Sequence, residues 1–373
     1  MLKDLQALVE CESPSSDLAA CAKVLEVANQ ITAKVVGTSA EIIQESGRPV
    51  YWLGSKNPEV VLLTHLDTVW PIGSFAPLWR VDGDIASGPG VFDMKSGFIQ
   101  ALYAMRGQEL GRVALIATTD EETGSATSRK LIEEVSKKAK AVLVMEASLD
   151  GKLKIGRKGT SMYQITIHGR AAHAGLEPEK GINATVEISK IVSKLIALEN
   201  KELGTSVVPT VMTSGSTTNT VPALASLDVD SRSFTMAEMK RVEQAIRALK
   251  PENDAARIEI TGGINRPPME MAATSELYAL AEKVAVKLEM APLGSASVGG
   301  ASDGNFAAIH TKVLDGLGSL GGGAHANNEH VLVSHLEPRS NLIAAKFPSL
   351  APPTLADPRG AIASFTATFS ARA

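Results

Sequence analysis

The sequence predicts an α/β protein with a mostly parallel sheet and helices on both faces, interrupted by a smaller α+β domain. Two observations predict this fold class. In the first part of the chain, short apolar runs rich in β-branched residues alternate with helix candidates, which is typical of a parallel sheet. Near residue 158, strands begin to alternate apolar and polar residues, which indicates a sheet with one solvated or partner-facing side.

The elements of the larger domain follow one another in this alternating order. The first helix begins at Asp17, whose side chain can cap it, and runs to about Asn29. After the smaller α+β domain, which we call the insert, a helix over Ser275–Leu288 and a strand near Val313 resume the α/β pattern. The elements between are buried strands at Val60–Leu63, Val113–Ala117 and Ala141–Met145, and helices at Met94–Met105 and Ser125–Lys138.

The insert has a pattern of its own. Tyr163, Ile165 and Ile167 alternate with polar residues, as in a half-buried strand. Thr235 and Glu238 form a candidate capping box for the second helix. The order β-α-β-β-α-β is the split-βαβ arrangement of a ferredoxin-like domain. Its later elements are Asn183–Glu199 (helix), Val207–Thr213 and Ala223–Ser233 (strands), Thr235–Lys250 (helix) and Arg257–Thr261 (strand).

These patterns predict domain boundaries. The larger domain is discontinuous and comprises residues 1–157 and 267–347, and the inserted domain comprises residues 158–266. After Phe347 the chain becomes rich in proline and alanine without periodicity. Residues 348–373 are therefore predicted to form a poorly ordered tail.

Composition argues against several classes of protein. Hydrophobic residues make up 44% and charged residues 21% of the chain, and the formal net charge is −4 without a basic run. We therefore expect no nucleic-acid or membrane partner. No apolar run approaches the ~18 residues of a membrane helix, and the start lacks signal-peptide features. A cytoplasmic location is expected, although a mature secreted or periplasmic chain would look the same. Cys11 and Cys21 are expected to be a reduced structural pair.

Polar side chains follow each buried strand of the larger domain. His65 and Asp67 follow the first strand, Glu121 and Glu122 lie just beyond the second, and Glu146 follows the third. The carboxyl ends of parallel strands line one edge of a sheet, where ligands bind, so these groups should converge. Asp93, ahead of a helix, should join them.

So many carboxylates would repel one another unless a cation neutralised them. Oxygen and imidazole ligands without thiolate suit Zn²⁺, Mn²⁺ or Co²⁺. A carboxylate shared between two ions ~3.5–4 Å apart would make this a two-metal hydrolytic centre.

Five motifs lie in register along the chain. They are His65-Leu-Asp67, Gly90-Val-Phe-Asp93-Met-Lys-Ser-Gly97, Thr119-Asp-Glu-Glu122, Met145-Glu146 and Gly323-Ala-His325. Together they resemble the family of co-catalytic zinc exopeptidases, which includes glutamate carboxypeptidase of the folate-cleaving type, aminoacylase and tripeptide aminopeptidase. The resemblance runs from about residue 1 to 346. It implies two bound divalent ions, most typically zinc, a larger domain that is catalytic, and an insert that serves as lid and homodimer interface.

The resemblance also implies individual roles. Asp93 would bridge both metals, with His65 and Glu146 completing one site and Glu122 and His325 the other. A cis peptide would follow the bridging aspartate. The remaining roles are general base for Glu121, which activates the water, and orientation of the first histidine for Asp67.

Substrate contacts are implied by further matches. His173 resembles a lid histidine that donates to the developing oxyanion, and Asn219 lies in a matching lid loop. Arg266 resembles an arginine that grips a terminal carboxylate. Lys152 lies near the position of a lysine that contacts an acidic side chain, and Gly300 belongs to a substrate-side loop.

The sequence thus predicts a dinuclear metal-dependent carboxypeptidase that releases a C-terminal, glutamate-like amino acid from peptides or N-acyl, folate-type conjugates. Aminoacylase or di/tripeptidase activity on the same metal centre is an alternative. A serine hydrolase is another, because Gly300-Ala-Ser302-Asp-Gly304 fits G-x-S-x-G and Asp315 and His325 follow, although the residues ahead of it make a poor strand. A third alternative is a metal-binding scaffold that catalyses no reaction.

Overall fold

The computed structural model describes residues 1–345, so the predicted tail at 348–373 lies outside the described residues. Nine helices are found in this range. They are α1 (Leu2–Val9), α2 (Leu18–Val36), α3 (Ser96–Ala104), α4 (Arg129–Ser136), α5 (Ala184–Ile196), α6 (Met236–Arg247), α7 (Met271–Lys287), α8 (Gly304–Ala308) and α9 (Leu336–Ala344). Among the described residues, no helix is long and apolar enough to cross a membrane.

The same residues contain sixteen strands. The first eight are β1 (Glu41–Glu45), β2 (Arg48–Gly54), β3 (Val60–His65), β4 (Arg80–Asp82), β5 (Ile85–Ser87), β6 (Val113–Thr118), β7 (Ala141–Val144) and β8 (Leu153–Arg157). The others are β9 (Gly159–His168), β10 (Ser206–Ser214), β11 (Leu224–Ser233), β12 (Arg257–Arg266), β13 (Ser295–Val298), β14 (Lys312–Leu314), β15 (Gly321–Gly322) and β16 (His330–Leu332).

The central sheet has six strands in the order β1-β2-β6-β3-β7-β14. The last four pair in parallel, whereas β1 and β2 form an antiparallel hairpin at one edge. Successive residues of β3 belong to different cores, since Val60 and Leu62 pack on one face and Val61 and Leu63 on the other. Burial on both faces explains the continuous apolar run. The predicted fold class, a mostly parallel sheet with helices on both faces, is confirmed.

A second, antiparallel sheet has the order β10-β11-β9-β12. Its four strands and the helices α5 and α6 follow the predicted β-α-β-β-α-β order. Tyr163, Ile165 and Ile167 of β9 pack against α5 and α6, while Met162 faces outward. Two smaller sheets complete the structure: the parallel pair β13-β8 and the antiparallel β15-β16-β5-β4.

Helix starts agree with the predicted caps, with one correction. Asp17 accepts hydrogen bonds from the backbone N–H groups of Ala19 and Ala20, both at 3.0 Å. Thr235 accepts one from the N–H of Glu238 at 3.3 Å, but the Glu238 carboxylate pairs with a neighbouring arginine and a threonine. The capping box is therefore only half formed, because stronger charged partners compete for Glu238.

Candidate metal centre and active site

The site is built where the parallel strands of the central sheet end. His65 is the last residue of β3, and its register partner on β6 is Thr118, three residues ahead of Glu121. β7 ends at Val144, two residues ahead of Glu146. Because these strands are parallel neighbours, their carboxyl ends meet at one edge. The groups that follow them are consequently brought together.

Two ligand clusters share Asp93. In the first cluster, the His65 Nε2 atom lies 3.3 Å from Asp93 Oδ1 and 3.7 Å from Glu146 Oε1. In the second cluster, the His325 Nε2 atom lies 3.3 Å from Asp93 Oδ2 and 3.1 Å from Glu122 Oε2. Within each cluster, one ligand atom per residue lies within 4.8 Å of the others. Each oxygen of Asp93 thus faces a different cluster.

The donor set fits two divalent cations. Each cluster offers one imidazole nitrogen and two carboxylate oxygens, a combination that suits zinc and similar ions and leaves coordination positions open. Hydrogen bonds to Asp93 and Glu122 raise the pKa of His325 to about 10. Burial would lower the pKa of His65, but Asp67 and Asp93 raise it well above its usual range. The carboxylates therefore hold positive charge at both clusters, which is what a cation would supply.

Asp67 connects the first histidine to the neighbouring strand end. It is fully buried, with Oδ1 3.4 Å from the His65 Nδ1 atom. Its carboxylate also accepts hydrogen bonds from the Ser15 hydroxyl at 2.6 Å and from the backbone N–H groups of Glu121 and Glu122 at 3.3 and 3.2 Å. One buried carboxylate thus contacts a candidate ligand on β3 and the two glutamates beyond β6. This contact pattern is that of an orienting partner for a ligand histidine.

A buried carboxylate that the sequence analysis missed, Glu329, holds the segment that carries Asp93. It accepts hydrogen bonds from the backbone N–H groups of Gly90, Phe92 and Asp93 at 3.0, 2.9 and 3.1 Å, and from the Trp70 indole at 2.9 Å. A carboxylate that accepts main-chain N–H groups has no signature in a sequence, so only the structure reveals it.

Two backbone features distinguish the segment around Asp93, a cis peptide bond and a close contact of the following helix. The peptide bond between Asp93 and Met94 is cis, as the resemblance implied. At Gly97, in the first turn of α3, a Cβ atom would lie 2.0 Å from the carbonyl oxygen of Met145. Glycine is required there because the helix approaches the residue that precedes Glu146.

Glu121, the predicted general base, lies against Arg266. The Arg266 Nη1 atom donates to Glu121 Oε1 at 2.8 Å, and Nη2 donates to the Ser125 hydroxyl at 2.9 Å. The guanidinium stacks on the Phe306 ring at 5.1 Å and is only 5% exposed. Burial, followed by the nearby Asp303 carboxylate, raises the pKa of Glu121 to about 8 against the opposing effects of His65 and Arg266. In this structure Arg266, which was predicted to bind the substrate carboxylate, forms an ion pair with Glu121, the predicted base.

A further buried arginine backs Glu146. Arg157 forms a two-pronged ion pair with Asp315, at 2.7 and 3.0 Å. Its Nη2 atom also lies 3.4 Å from Glu146 Oε2, the oxygen that faces away from His65. The geometry leaves Glu146 Oε1 directed at the first cluster.

The structure does not assemble a serine triad. The Ser302 hydroxyl donates to Asp315 at 2.9 Å, but Asp315 pairs with Arg157, and His325 faces the carboxylates of the second cluster. In a triad the imidazole would lie between the serine and the aspartate. The residues ahead of Ser302 were expected to make a poor strand, and Ser295–Val298 forms β13, a short and partly exposed strand.

Two residues predicted to contact substrate lie on adjacent loops of the second sheet. The backbone N–H of Ala174, next to His173, donates to the carbonyl of Asn219 at 2.9 Å. Both side chains belong to exposed residues. The structure brings them together with each other, and their contact with substrate stays a prediction.

The remaining two predicted contacts lie apart. Gly300 is exposed, and its carbonyl accepts a hydrogen bond from Arg157 at 3.2 Å. Lys152 lines a surface cavity of about 770 Å³ with residues 288–294, His335 and Arg339. Among the described residues, none of the candidate metal ligands lines that cavity.

The fold and the paired clusters indicate a class of protein, the two-metal hydrolases. Comparison with known proteins gives the family: residues 61–346 match the model of peptidase family M20/M25/M40, and the chain belongs to this family. The chain is 34% identical to carboxypeptidase G2 of Pseudomonas sp. (strain RS-16) over 310 residues, which cover 79% of this chain and 73% of that protein.

The chain is also similar to proteins with other names. The chain is 27% identical to succinyl-diaminopimelate desuccinylase of Dechloromonas aromatica (strain RCB), over 88% of this chain and 93% of that protein. The crystal structure of the aminopeptidase PepT from Bacillus cereus ATCC 10987 superposes with a TM-score of 0.75, covering 94% of this chain and 98% of that chain at 20% identity. The last comparison shows a shared fold.

Proposed function

We propose that the protein is a dinuclear metal-dependent carboxypeptidase that hydrolyses the amide bond to a C-terminal, glutamate-like amino acid in peptides or N-acyl, folate-type conjugates. The observation that carries this proposal is the pair of clusters sharing Asp93, with Glu121 beside them. His65 and Glu146 would hold one ion, and Glu122 and His325 the other. Zinc suits these donors best, and manganese or cobalt also fits.

The chain's own residues supply the proton transfers. When bound, the two ions polarise the scissile carbonyl and make an attacking water more acidic. Glu121 accepts the proton of that water and delivers it to the leaving amine, a role for which a raised pKa is suited. Asp67 keeps His65 and the two adjacent glutamates in place. His173 and Asn219, from the lid formed by residues 158–266, would donate to the developing oxyanion and the substrate.

Arg266 has a different place in this proposal from the one the sequence suggested. Its ion pair with Glu121 and its burial support a role in positioning the base before substrate arrives. A terminal carboxylate bound by Arg266 would compete with Glu121 for the same guanidinium. We propose the homodimer through the lid on the family resemblance alone.

Related activities share the same centre. The desuccinylase relative favours an N-acyl-amino-acid deacylase as the second candidate, and the aminopeptidase neighbour is in keeping with a di- or tripeptidase. A panel of N-acyl amino acids and dipeptides, varied at the C-terminal residue, separates these activities by kcat/KM. Preference for an acidic C-terminal residue supports the carboxypeptidase proposal, whereas preference for a free N-terminal amine contradicts it.

The mechanism is tested by Glu121→Gln, which keeps the shape of the side chain and removes the base. We expect kcat to fall by at least ~100-fold with two metal ions retained, measured by steady-state kinetics and elemental analysis. Ser302→Ala is the matched control for the serine mechanism, and we expect it to retain chelator-sensitive turnover. A loss below ~10-fold in Glu121→Gln would show that the base is another group.

A further inference from the structure

The surface cavity of about 770 Å³ has a buried arginine, Arg339 of α9, in its wall. The cavity volume is within the range of pockets that hold small molecules. Its walls come from the turn at 150–152, the 288–294 loop and the start of α9, with Leu320 beside them. The candidate metal ligands lie outside these segments. The cavity is therefore separate from the metal centre.

The charge of Arg339 has little local compensation. The residue is only 3% exposed. Its Nη2 atom donates to the carbonyl oxygen of Gly151, but its Nη1 atom has no hydrogen-bond partner among the described residues. Burial alone lowers the pKa of Arg339 to about 10, with no opposing effect of a neighbouring carboxylate. A buried charge without a counterion and a buried donor without an acceptor are both costly.

The protein treats its other deeply buried arginines differently. Arg157 is 4% exposed and donates to both oxygens of Asp315, at 2.7 and 3.0 Å. Arg266 is 5% exposed and donates to Glu121 at 2.8 Å. In both cases a carboxylate neutralises the guanidinium. Arg339 lacks the partner that these two arginines have, and it is the one that lines a cavity.

The rest of the cavity wall indicates what kind of anion would fit. Apolar side chains form much of it, among them Leu288, Met290, Leu293 and Leu320. Three exposed charged residues also line it, the acids Asp150 and Glu289 and the cation Lys152. The two acids disfavour a ligand with two negative charges, and their exposure lets water and salt screen them from a single charge.

We propose that this cavity binds a small organic monocarboxylate with an apolar body, held through its carboxylate by Arg339. The carboxylate would supply the counterion and the acceptor that the guanidinium lacks. Since one hydrogen bond, to Gly151, holds the guanidinium, a small rotation would bring Nη1 to the ligand. The apolar body would pack against the leucine and methionine side chains. This site does not depend on the proposed hydrolysis.

The test is a ligand-observed NMR titration with three related probes. Phenylacetate carries the carboxylate, phenylacetamide is its uncharged analogue, and phenyl phosphate is a dianion of similar shape. The full-length chain is titrated in its metal-loaded form and after chelation, because bound metal ions also attract carboxylates. The variants are Arg339→Met and Ala291→Trp, which fills the cavity from an exposed position. Arg257→Met, at an exposed arginine of β12, is the matched control.

We expect phenylacetate to bind the chelated wild type at least about tenfold more tightly than phenylacetamide does, and more tightly than phenyl phosphate. Arg339→Met should weaken phenylacetate binding by about 10- to 100-fold and remove the preference over the amide. Ala291→Trp should weaken binding of both compounds, because it occupies their space. Arg257→Met should leave all three affinities unchanged. Thermal unfolding followed by circular dichroism checks that each variant is folded.

Four results overturn the inference. Phenylacetate that does not bind the chelated wild type, or binds no better than the amide, would show that the cavity recognises no carboxylate. Tighter binding of phenyl phosphate would contradict the preference for a single charge. Unchanged binding in a folded Arg339→Met would place the ligand elsewhere. If Arg339→Met does not fold, Ala291→Trp decides, since it keeps the arginine, and unchanged phenylacetate binding there would exclude the cavity.

Discussion

His65 and His325 each supply the imidazole of one cluster, but the protein supports them in different ways. His65 ends a central strand, is 1% exposed, and has Asp67 behind its Nδ1 atom. His325 lies on a loop with a φ of 61°, and its side chain is 51% exposed. The left-handed backbone conformation is uncommon for a residue with a side chain. The first cluster rests on regular structure, and the second depends on a loop.

The difference shows where the second cluster obtains its support. Glu329, four residues after His325, accepts the main-chain N–H groups of the segment that carries Asp93. The loop that brings one ligand of the second cluster is thereby tied to the segment that brings another. Sites on regular elements are held more tightly than sites on loops. We infer that the first cluster binds its ion more tightly than the second.

The largest effect should come from Asp93→Asn, because Asp93 belongs to both clusters. We expect metal affinity at both sites to fall by more than ~100-fold, since even an outer partner of a ligand is typically worth 10- to 100-fold. Calorimetric titration of the metal-free protein measures both binding steps. Retention of two tight sites would contradict the shared carboxylate and remove the basis of the comparison.

An intermediate effect is expected from Glu329→Gln. The NH₂ group of the glutamine would face main-chain N–H groups that donate to the carboxylate of Glu329 in the wild type. Affinity of the weaker site should fall by ~10- to 100-fold, with a smaller loss at the tighter one, because Glu329 holds the segment of the shared Asp93 as well as the His325 loop. Co²⁺-substituted protein should show the larger change of absorption spectrum for the weaker site. Glu289→Gln, remote in the 288–294 loop, is the matched control. An equal loss at both sites would mean that Glu329 supports the whole fold.

The smallest effect concerns pH, and it tests whether the ligand histidines of both clusters are protonated before metal binds. A histidine must lose its proton to bind a metal, and the pKa of His325 is raised to about 10 while that of His65 is also raised. Below these pKa values the metal displaces a proton, so apparent affinity should rise by about tenfold between pH 7 and pH 8 at both sites. Competition with a chelator of known affinity measures the apparent metal affinity at each pH. Affinity that stays flat with pH at one site would show that its histidine is already neutral.

Much of the site could be predicted because it follows from strand ends. His65 and Glu146 each come just after a continuous apolar run, and such runs are buried parallel strands whose carboxyl ends coincide. The β1–β2 hairpin and α1 were not predicted, since short elements with mixed patterns give weak signals. The direction of long side chains gives no sequence signal either, and only the structure shows that Lys152 lines the surface cavity, whereas the Nζ atom of Lys154 lies 3.9 Å from Glu146 Oε2.

The sequence alone determined which groups the site contains: imidazoles and carboxylates placed after buried strands, a pattern set by local periodicity and by the cost of burying unpaired charge. The tertiary structure decided which charges meet. It directed Arg266 at Glu121, 145 positions away, and brought Glu329 to the backbone beside Asp93. Such pairings depend on distances of a few ångströms between segments far apart in the chain, and residue order does not encode those distances.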